Sequence, residues 1–231
     1  MKLLLRVWKQ TPRGATTRCP RRPLSSSGPA PLMVGSTPEL VHRLRPQVEV
    51  RPAFITEVEE AAFLNELEPG LRKKRYEFDH WDDAIHGYRE TERLVWGPGC
   101  EAILTRVRSV AFPQGDQLLG PIHVLDLDKN GYIKAHIDSV KFCGSTIAGL
   151  SLLSDCVMRL VKEEESHQWL DLLLPRRSLY ILRYLTGLGS ITIILDQLQF
   201  SYDYSDGHFS ELQLNCDYFF YPLKVNYVLI Y

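Results

Sequence analysis

The stretch that most constrains the fold covers residues 122–139 and reads IHVLDLDKNGYIKAHIDS. Apolar and polar residues alternate in two runs separated by a turn, and a period of two is typical of β-strands. The second run ends in His136, Ile137 and Asp138, so an imidazole and a carboxylate fall on one face of the predicted strand. These are two of the three ligands of a 2-His-1-carboxylate Fe(II) site, although an ordinary polar strand face fits the same residues.

Other segments of the chain predict an α+β protein. A helix is predicted to begin at a capping box formed by Thr56 and Glu59 and to end near Pro69, and a second helix covers residues 98–112. Short apolar runs with turn signals between them predict strands at residues 48–55, 147–153, 157–161, 169–174 and 179–182. We expect the helices to pack on one face of an antiparallel sandwich or barrel.

The N-terminal 38 residues contain seven basic residues and no acidic one. This composition, with its serines and threonines, is typical of a mitochondrial transit peptide, and a disordered basic tail is the alternative. Prolines and serines then indicate an unstructured linker, so residues 1–46 are predicted to precede the core and the protein to reach the mitochondrial matrix. The rest of the chain is acidic overall, so nothing indicates a basic surface for nucleic acid.

The cysteines and the apolar runs restrict the environment further. No two of the five cysteines form a CxxC pair, which favours free thiols in a reducing compartment over a disulfide framework or a zinc site. No apolar run approaches the roughly 18 residues that span a bilayer.

Residues 72–93 hold two further groups of polar side chains. The basic run at residues 72–75 fits a solvated helix end better than a phosphate or RNA contact. His80, Asp82 and His86 are candidate metal ligands by type, but they fit an exposed strand face in a hairpin better, because no other ligand converges on them in the sequence.

A series of segments resembles a known family. They are HVLDL, GYIKAHIDS, KFCG, TIAGLSLLS, VMRLV and SLYILR, together with YEFDHWDDAIHGYRET before them. Together they are similar to the AlkB-type Fe(II)/2-oxoglutarate-dependent dioxygenases, and in particular to the mitochondrial branch of that family. The resemblance covers about residues 48–183. We therefore predict a dioxygenase core at residues 47–183, followed by a divergent C-terminal segment at residues 184–231.

The resemblance implies a fold, a site and a reaction. The fold is a double-stranded β-helix, or jelly roll, flanked by helices. His136 and Asp138 match the first two metal ligands, and Tyr180 matches a tyrosine that binds the cosubstrate. The cofactors implied are Fe(II), 2-oxoglutarate and O₂, and the reaction is oxidative hydroxylation or demethylation of a protein, nucleic-acid or small-molecule substrate. The mitochondrial branch is linked to fatty-acid metabolism and programmed necrosis.

After Arg183 the chain departs from the family pattern. The position expected for the third metal ligand falls near Thr192, and residues 184–231 contain no arginine to pair the far carboxylate of 2-oxoglutarate. The single histidine in this segment, His208, lies in turn-like sequence and fits an exposed loop. This abrupt change indicates an alternative C-terminus, and we expect the jelly roll to be incomplete at its last strands.

Two functions remain open from the sequence. One is a mitochondrial dioxygenase of the AlkB type. The other is a catalytically impaired form that acts as a non-enzymatic interaction protein. The β-prone residues 191–195 and 218–228 are predicted either to replace the missing strands or to leave an aggregation-prone edge.

Overall fold

The computed structural model describes residues 31–80, 83–112, 120–136, 146–162, 165–183, 191–196 and 225–230. Within these ranges the chain forms three helices: α1 (Pro38–Leu44), α2 (Glu57–Leu71) and α3 (Pro98–Ala111). It also forms eleven strands: β1 (Met33–Gly35), β2 (Val48–Arg51), β3 (Glu77–Asp79), β4 (Ile85–Arg93), β5 (Ile122–His136), β6 (Thr146–Leu152), β7 (Cys156–Lys162), β8 (Glu165–Leu174), β9 (Leu179–Arg183), β10 (Ile191–Asp196) and β11 (Val225–Ile230).

Strand β5 organises the sheet because its two halves pair with different neighbours. Its first half pairs with β11, and the sheet continues from β11 through β6, β9 and β2. Its second half pairs with β10, and the sheet continues from β10 through β7, β8 and β1. Strand β4 pairs with β5 along both halves, and β3 pairs with β4. All of these pairs are antiparallel, so β5 joins two branches of an antiparallel sheet.

The change of partner along β5 coincides with a close approach of two glycines. A Cβ atom on Gly131 would collide with the backbone of Gly87, and Gly87 has a φ of +61°. Glycine adopts this left-handed conformation without steric cost and lets two backbones come together. The sequence predicts two strands joined by a turn here, whereas the structure has one 15-residue strand with an irregular register against β4.

The two branches bury one apolar cluster between them, which we call the inner cluster. It contains Val48, Tyr88, Leu125, Leu127, Ile133, Met158, Leu160, Leu170, Leu172, Leu174, Tyr180 and Leu182, with Leu40, Leu44 and Cys156. Residues from both branches share this cluster, which gives the arrangement of a jelly roll. The α+β jelly roll expected from the sequence is therefore confirmed.

The opposite face of the β6 and β9 branch packs against α2 and α3, and we call this second apolar cluster the outer cluster. Strand alternation separates the two clusters, because Tyr180 and Leu182 of β9 belong to the inner cluster whereas Leu179 and Ile181 belong to the outer one. In α2, the buried Glu60 carboxylate accepts hydrogen bonds from the Leu153 backbone and the Arg176 side chain. This carboxylate fixes α2 to two turns of the sheet.

The helix predictions hold with small differences. Thr56 and Glu59 form the predicted capping box at the start of α2, and α3 begins with Pro98 in its first turn. Pro69 lies inside α2 rather than at its end, because the helix continues to Leu71. No helix among the described residues is long and apolar enough to cross a membrane.

Some boundaries predicted from the sequence need correction. Residues 33–44 were assigned to the linker, but β1 pairs with β8, and Leu40 and Leu44 of α1 are buried in the inner cluster. Strands β10 and β11 pair with the sheet by backbone register, as the replacement-strand alternative predicted. Of the five cysteines, Cys100 and Cys156 are buried free thiols, and the other three lie outside the described residues.

Candidate metal and cosubstrate site

A bulge at the end of β5 determines which face His136 occupies. Ile133 lies opposite Leu195 of β10 and His136 lies opposite Ile193, so three steps along β5 match two along β10. An extra residue in one strand of an antiparallel pair reverses the alternation of faces beyond it. His136 therefore shares a face with Ile133, which belongs to the inner cluster.

The hydrogen bond of His136 fixes its tautomer. Its Nδ1 lies 2.9 Å from the backbone oxygen of Lys134. Because a carbonyl oxygen can only accept, Nδ1 carries a hydrogen and donates it. This second interaction is the one that orients most metal-binding histidines. Asp138, the second predicted ligand, lies outside the described residues.

Tyr180 lies in the inner cluster, in the middle of the β6 and β9 branch. It is 1% exposed, and its cross-strand neighbours are Val50 and Gly149. A Cβ atom on Gly149 would overlap the phenol end of the Tyr180 ring. The tyrosine thus lies flat against the backbone of β6, and the missing side chain of Gly149 makes room for it. Its cosubstrate role stays a prediction.

An isoleucine lies opposite His136 in the strand register. Ile193 pairs with His136 on one side of β10 and with Leu160 of β7 on the other. Thr192, where the sequence comparison places the missing ligand, pairs with Val161 of β7. His208 lies outside the described residues. Strand β10 contains no histidine, and its one carboxylate residue, Asp196, lies at the end of the strand. It therefore supplies no imidazole or carboxylate at the position opposite His136.

Two arginines of the described sheet already have carboxylate partners. Arg89 is buried, but it belongs to the helix side, where its Nε donates to Asp126 at 2.6 Å. Arg183, at the end of β9, pairs with Glu49 of β2.

A second group of possible ligands lies across β3 and β4. The ligand atoms of Asp79, Asp83 and His86 lie within 4.8 Å of one another. Asp79 binds Nδ1 of the ring at 2.6 Å, whereas Asp83 approaches Nε2 at 3.3 Å. One ion can use only one nitrogen of a ring, and Lys134 already supplies a cation 2.9 Å from Asp83. The three residues therefore form a hydrogen-bonded network that stabilises the hairpin rather than a metal centre.

This group differs from the one considered in the sequence. Asp82 lies outside the described residues, and His80 pairs with Glu90 rather than with His86. A hydrogen bond from His123 lowers the pKa of Glu90, and burial opposes that shift. The cross-strand register of Asp79 with His86 is the signal that sequence reasoning missed, because it depends on how β3 pairs.

One solved structure has a fold similar to that of this chain. The structure of OsALKBH1 superposes with a TM-score of 0.53, covers 81% of this chain and 99% of that chain, and is 11% identical. At this identity the likeness supports the fold alone. The two proteins therefore share a fold.

Sequence relatives identify the family. The mouse (Mus musculus) protein named Alpha-ketoglutarate-dependent dioxygenase alkB homolog 7, mitochondrial, is 58% identical over 149 residues, which are 64% of this chain and 67% of the mouse protein. The cattle (Bos taurus) protein of the same name is 57% identical over 149 residues, with the same coverage. The chain belongs to the AlkB family of alpha-ketoglutarate (2-oxoglutarate)-dependent dioxygenases. No family model matches the chain. Both relatives are named as mitochondrial, which confirms the mitochondrial localisation predicted from the N-terminus.

The described residues fit the groups that this family uses only in part. His136 fits an Fe(II) ligand, because of its face and its tautomer. Tyr180 places a buried phenol in the inner cluster. In the described register, Ile193 and not a metal-binding residue type lies opposite His136.

Proposed function

We propose that this chain is a catalytically impaired member of the AlkB family that acts as a non-enzymatic interaction protein in the mitochondrion. One observation carries the proposal: the strand beside His136 places Ile193 opposite it. An alkyl side chain cannot donate an electron pair to a metal ion. The jelly roll is retained, while one side of the metal site is missing.

The expected loss in ligand binding has two parts. With His136 and the predicted ligand Asp138 alone, Fe(II) has two protein ligands instead of the three of a facial triad. Without a guanidinium partner, the far carboxylate of 2-oxoglutarate enters an apolar interior unpaired. Leaving a buried charge without its partner costs about 2–5 kcal/mol, which weakens binding at least about thirtyfold.

The second candidate function is an active mitochondrial dioxygenase that hydroxylates or demethylates its substrate. The tautomer and face of His136 favour it, because they match a metal ligand. Fe(II), 2-oxoglutarate and O₂ together would supply the oxidising chemistry. The links to fatty-acid metabolism and programmed necrosis belong to this candidate.

Anaerobic titration separates the two candidates. Fe(II) and 2-oxoglutarate are added to the purified full chain, the metal-to-ligand charge-transfer band is recorded, and succinate is measured after O₂ is admitted. We expect no band and no succinate above the level of the His136→Ala variant. The matched positive control is a chain in which residues 184–231 are replaced by the corresponding segment of the mouse relative. A band with turnover in the unaltered chain would overturn the proposal.

A further inference from the structure

We infer that His86 is a buried imidazolium in the folded protein and that it acts as a proton-dependent latch, which holds β3 and the turn after it against β4. The inference concerns this hairpin alone and does not depend on the proposed loss of catalysis. The network of Asp79, Asp83 and His86 then has a role of its own, which is to make the attachment of the hairpin depend on pH.

Both ring nitrogens of His86 face hydrogen-bond acceptors. Nδ1 lies 2.6 Å from a carboxylate oxygen of Asp79, whose side chain is 55% exposed. Nε2 lies 3.1 Å from the backbone oxygen of Asp83 and 3.3 Å from a carboxylate oxygen of the same residue. Carboxyl groups in contact with water are ionised at neutral pH, and neither a carboxylate nor a carbonyl oxygen can donate. Each ring nitrogen must therefore carry a hydrogen, which makes the ring a cation.

The charged groups described around His86 balance only when its ring is protonated. Asp79 of β3 and Asp83 of the turn each bring a negative charge, and the Lys134 ammonium of β5 lies 2.9 Å from Asp83. The hydrogen bond to Asp83 raises the pKa of Lys134, so this ammonium stays charged in the pH range in which imidazole titrates. Two carboxylates and one ammonium leave one negative charge, which an imidazolium neutralises.

Two aromatic rings cover the His86 imidazole, which is 5% exposed. The Tyr132 ring of β5 stacks on it, with the ring centroids 4.7 Å apart and an angle of 17° between the planes. The Phe78 ring of β3 packs against it at an angle of 78°. An aromatic face attracts a cation, and a buried cation is stable when it has ionic partners. Removing the proton would leave an acceptor of this covered network without its donor, which destabilises the network.

Strand β3 is short, so the latch has a large share in its attachment. The register pairs β3 with β4 at two positions, Glu77 with Tyr88 and Asp79 with His86. A cation that the folded state favours stabilises the hairpin at low pH, and this stabilisation is lost as the pH rises through the titration of the ring. Because Tyr88 belongs to the inner cluster, release of β3 would expose the margin of that cluster.

The first measurement is the protonation state of the ring in the full chain, with ¹⁵N-labelled histidines. The signals that disappear in His86→Gln identify the ring. If that variant does not fold, the signals that move in Asp79→Asn identify it instead. At about pH 7 we expect both ring nitrogens to have the chemical shifts of protonated nitrogens. A ring with one unprotonated nitrogen at that pH would overturn the inference.

The second measurement is backbone hydrogen exchange in the peptide that covers β3 and β4, from about pH 6 to about pH 9, corrected for the intrinsic exchange rate. In the unaltered chain we expect the protection to fall severalfold as the pH rises. Protection in His86→Gln should not depend on pH, because an amide does not titrate. The matched control is His167→Gln, since the His167 side chain is 77% exposed, and it should behave like the unaltered chain. Protection that is independent of pH in the unaltered chain, or an equal fall in His86→Gln, would contradict the latch.

Discussion

The two faces of the sheet hold their ion pairs at different depths. On the helix side, Arg89 and Asp126 meet at 2.6 Å with side chains 7% and 0% exposed. Glu60 likewise holds Arg176 and the Leu153 backbone. On the inner side, at the margin of the inner cluster, Glu90 pairs with His123 at 2.7 Å, and their side chains are 35% and 16% exposed.

This difference separates a structural region from a site. The helix side supplies its own counter-charges, and its stability therefore does not depend on a ligand. The inner side holds the Tyr180 phenol within its cluster and the imidazoles of His123 and His136 at its margins. The buried ion pairs on the helix side can thus stabilise the fold whether or not the inner side binds a ligand.

The largest effect is expected on the helix side, at Arg89. Arg89→Met removes the cationic partner of the buried Asp126, which keeps a hydrogen bond from the Tyr76 hydroxyl, and it removes the donor to the Leu71 backbone oxygen. Leaving a buried carboxylate without its counter-charge should lower the free energy of unfolding by about 3–5 kcal/mol, measured by urea denaturation. The double variant Arg89→Met, Asp126→Leu should recover much of this loss. A loss below about 1 kcal/mol in Arg89→Met would contradict the description of the helix side.

A smaller effect is expected on the inner side, at Gly149. Gly149→Ala places a methyl group against the Tyr180 ring, and overpacking of this kind costs about 1–3 kcal/mol. In a double-mutant cycle, Tyr180→Leu should reduce the cost of Gly149→Ala, because the clashing ring is gone. Equal costs in both backgrounds would show that the two residues are not coupled.

The smallest effect concerns the exposed pair of Glu59 and Arg106. The hydrogen bond from Arg106 lowers the pKa of Glu59 from 4.5 to about 2, although burial opposes the shift. A lowered pKa in the folded state gives stability that is present above about pH 4.5 and is lost as the pH falls towards 2. Because the pair is partly exposed, this contribution should be about 0.5–1 kcal/mol.

The measurement is the free energy of unfolding of the unaltered chain and of Arg106→Gln at several pH values. The difference between them should shrink as the pH falls below about 4.5. Glu59→Gln is the matched control, since it removes the titrating group and keeps an amide oxygen for the capping box. A difference that does not change with pH would show that packing of Arg106, not charge, is responsible.

Local signals in the sequence predict most of the fold. The capping box at Thr56 and the short apolar runs after residue 146 depend on residues close together in the chain, so the sequence predicts them. The sequence does not predict strand β1 or helix α1, because prolines and serines dominate the residues around them. These two elements are stabilised by long-range contacts instead, since β1 pairs with β8 and α1 packs into the inner cluster. The continuity of β5 depends on the contact between Gly87 and Gly131, which are far apart in sequence.

The candidate site was predictable to a lesser extent. The alternation pattern and the resemblance identified His136 and Tyr180, and the structure places both on the inner face. The bulge that gives His136 its face arises from the pairing of β5 with β10, about 60 residues later, and long-range pairing of this kind leaves no local signal.

The position of β11 has a consequence for how this protein is made. Strand β11 pairs with both β5 and β6, yet it follows them by roughly 75 to 100 residues in the chain. During synthesis, the facing edges of β5 and β6 therefore remain open while the intervening residues are translated, at about 5–20 residues per second. Open apolar edges can pair with other chains. The central sheet of the nascent protein can therefore close only several seconds after β5 and β6 have been made.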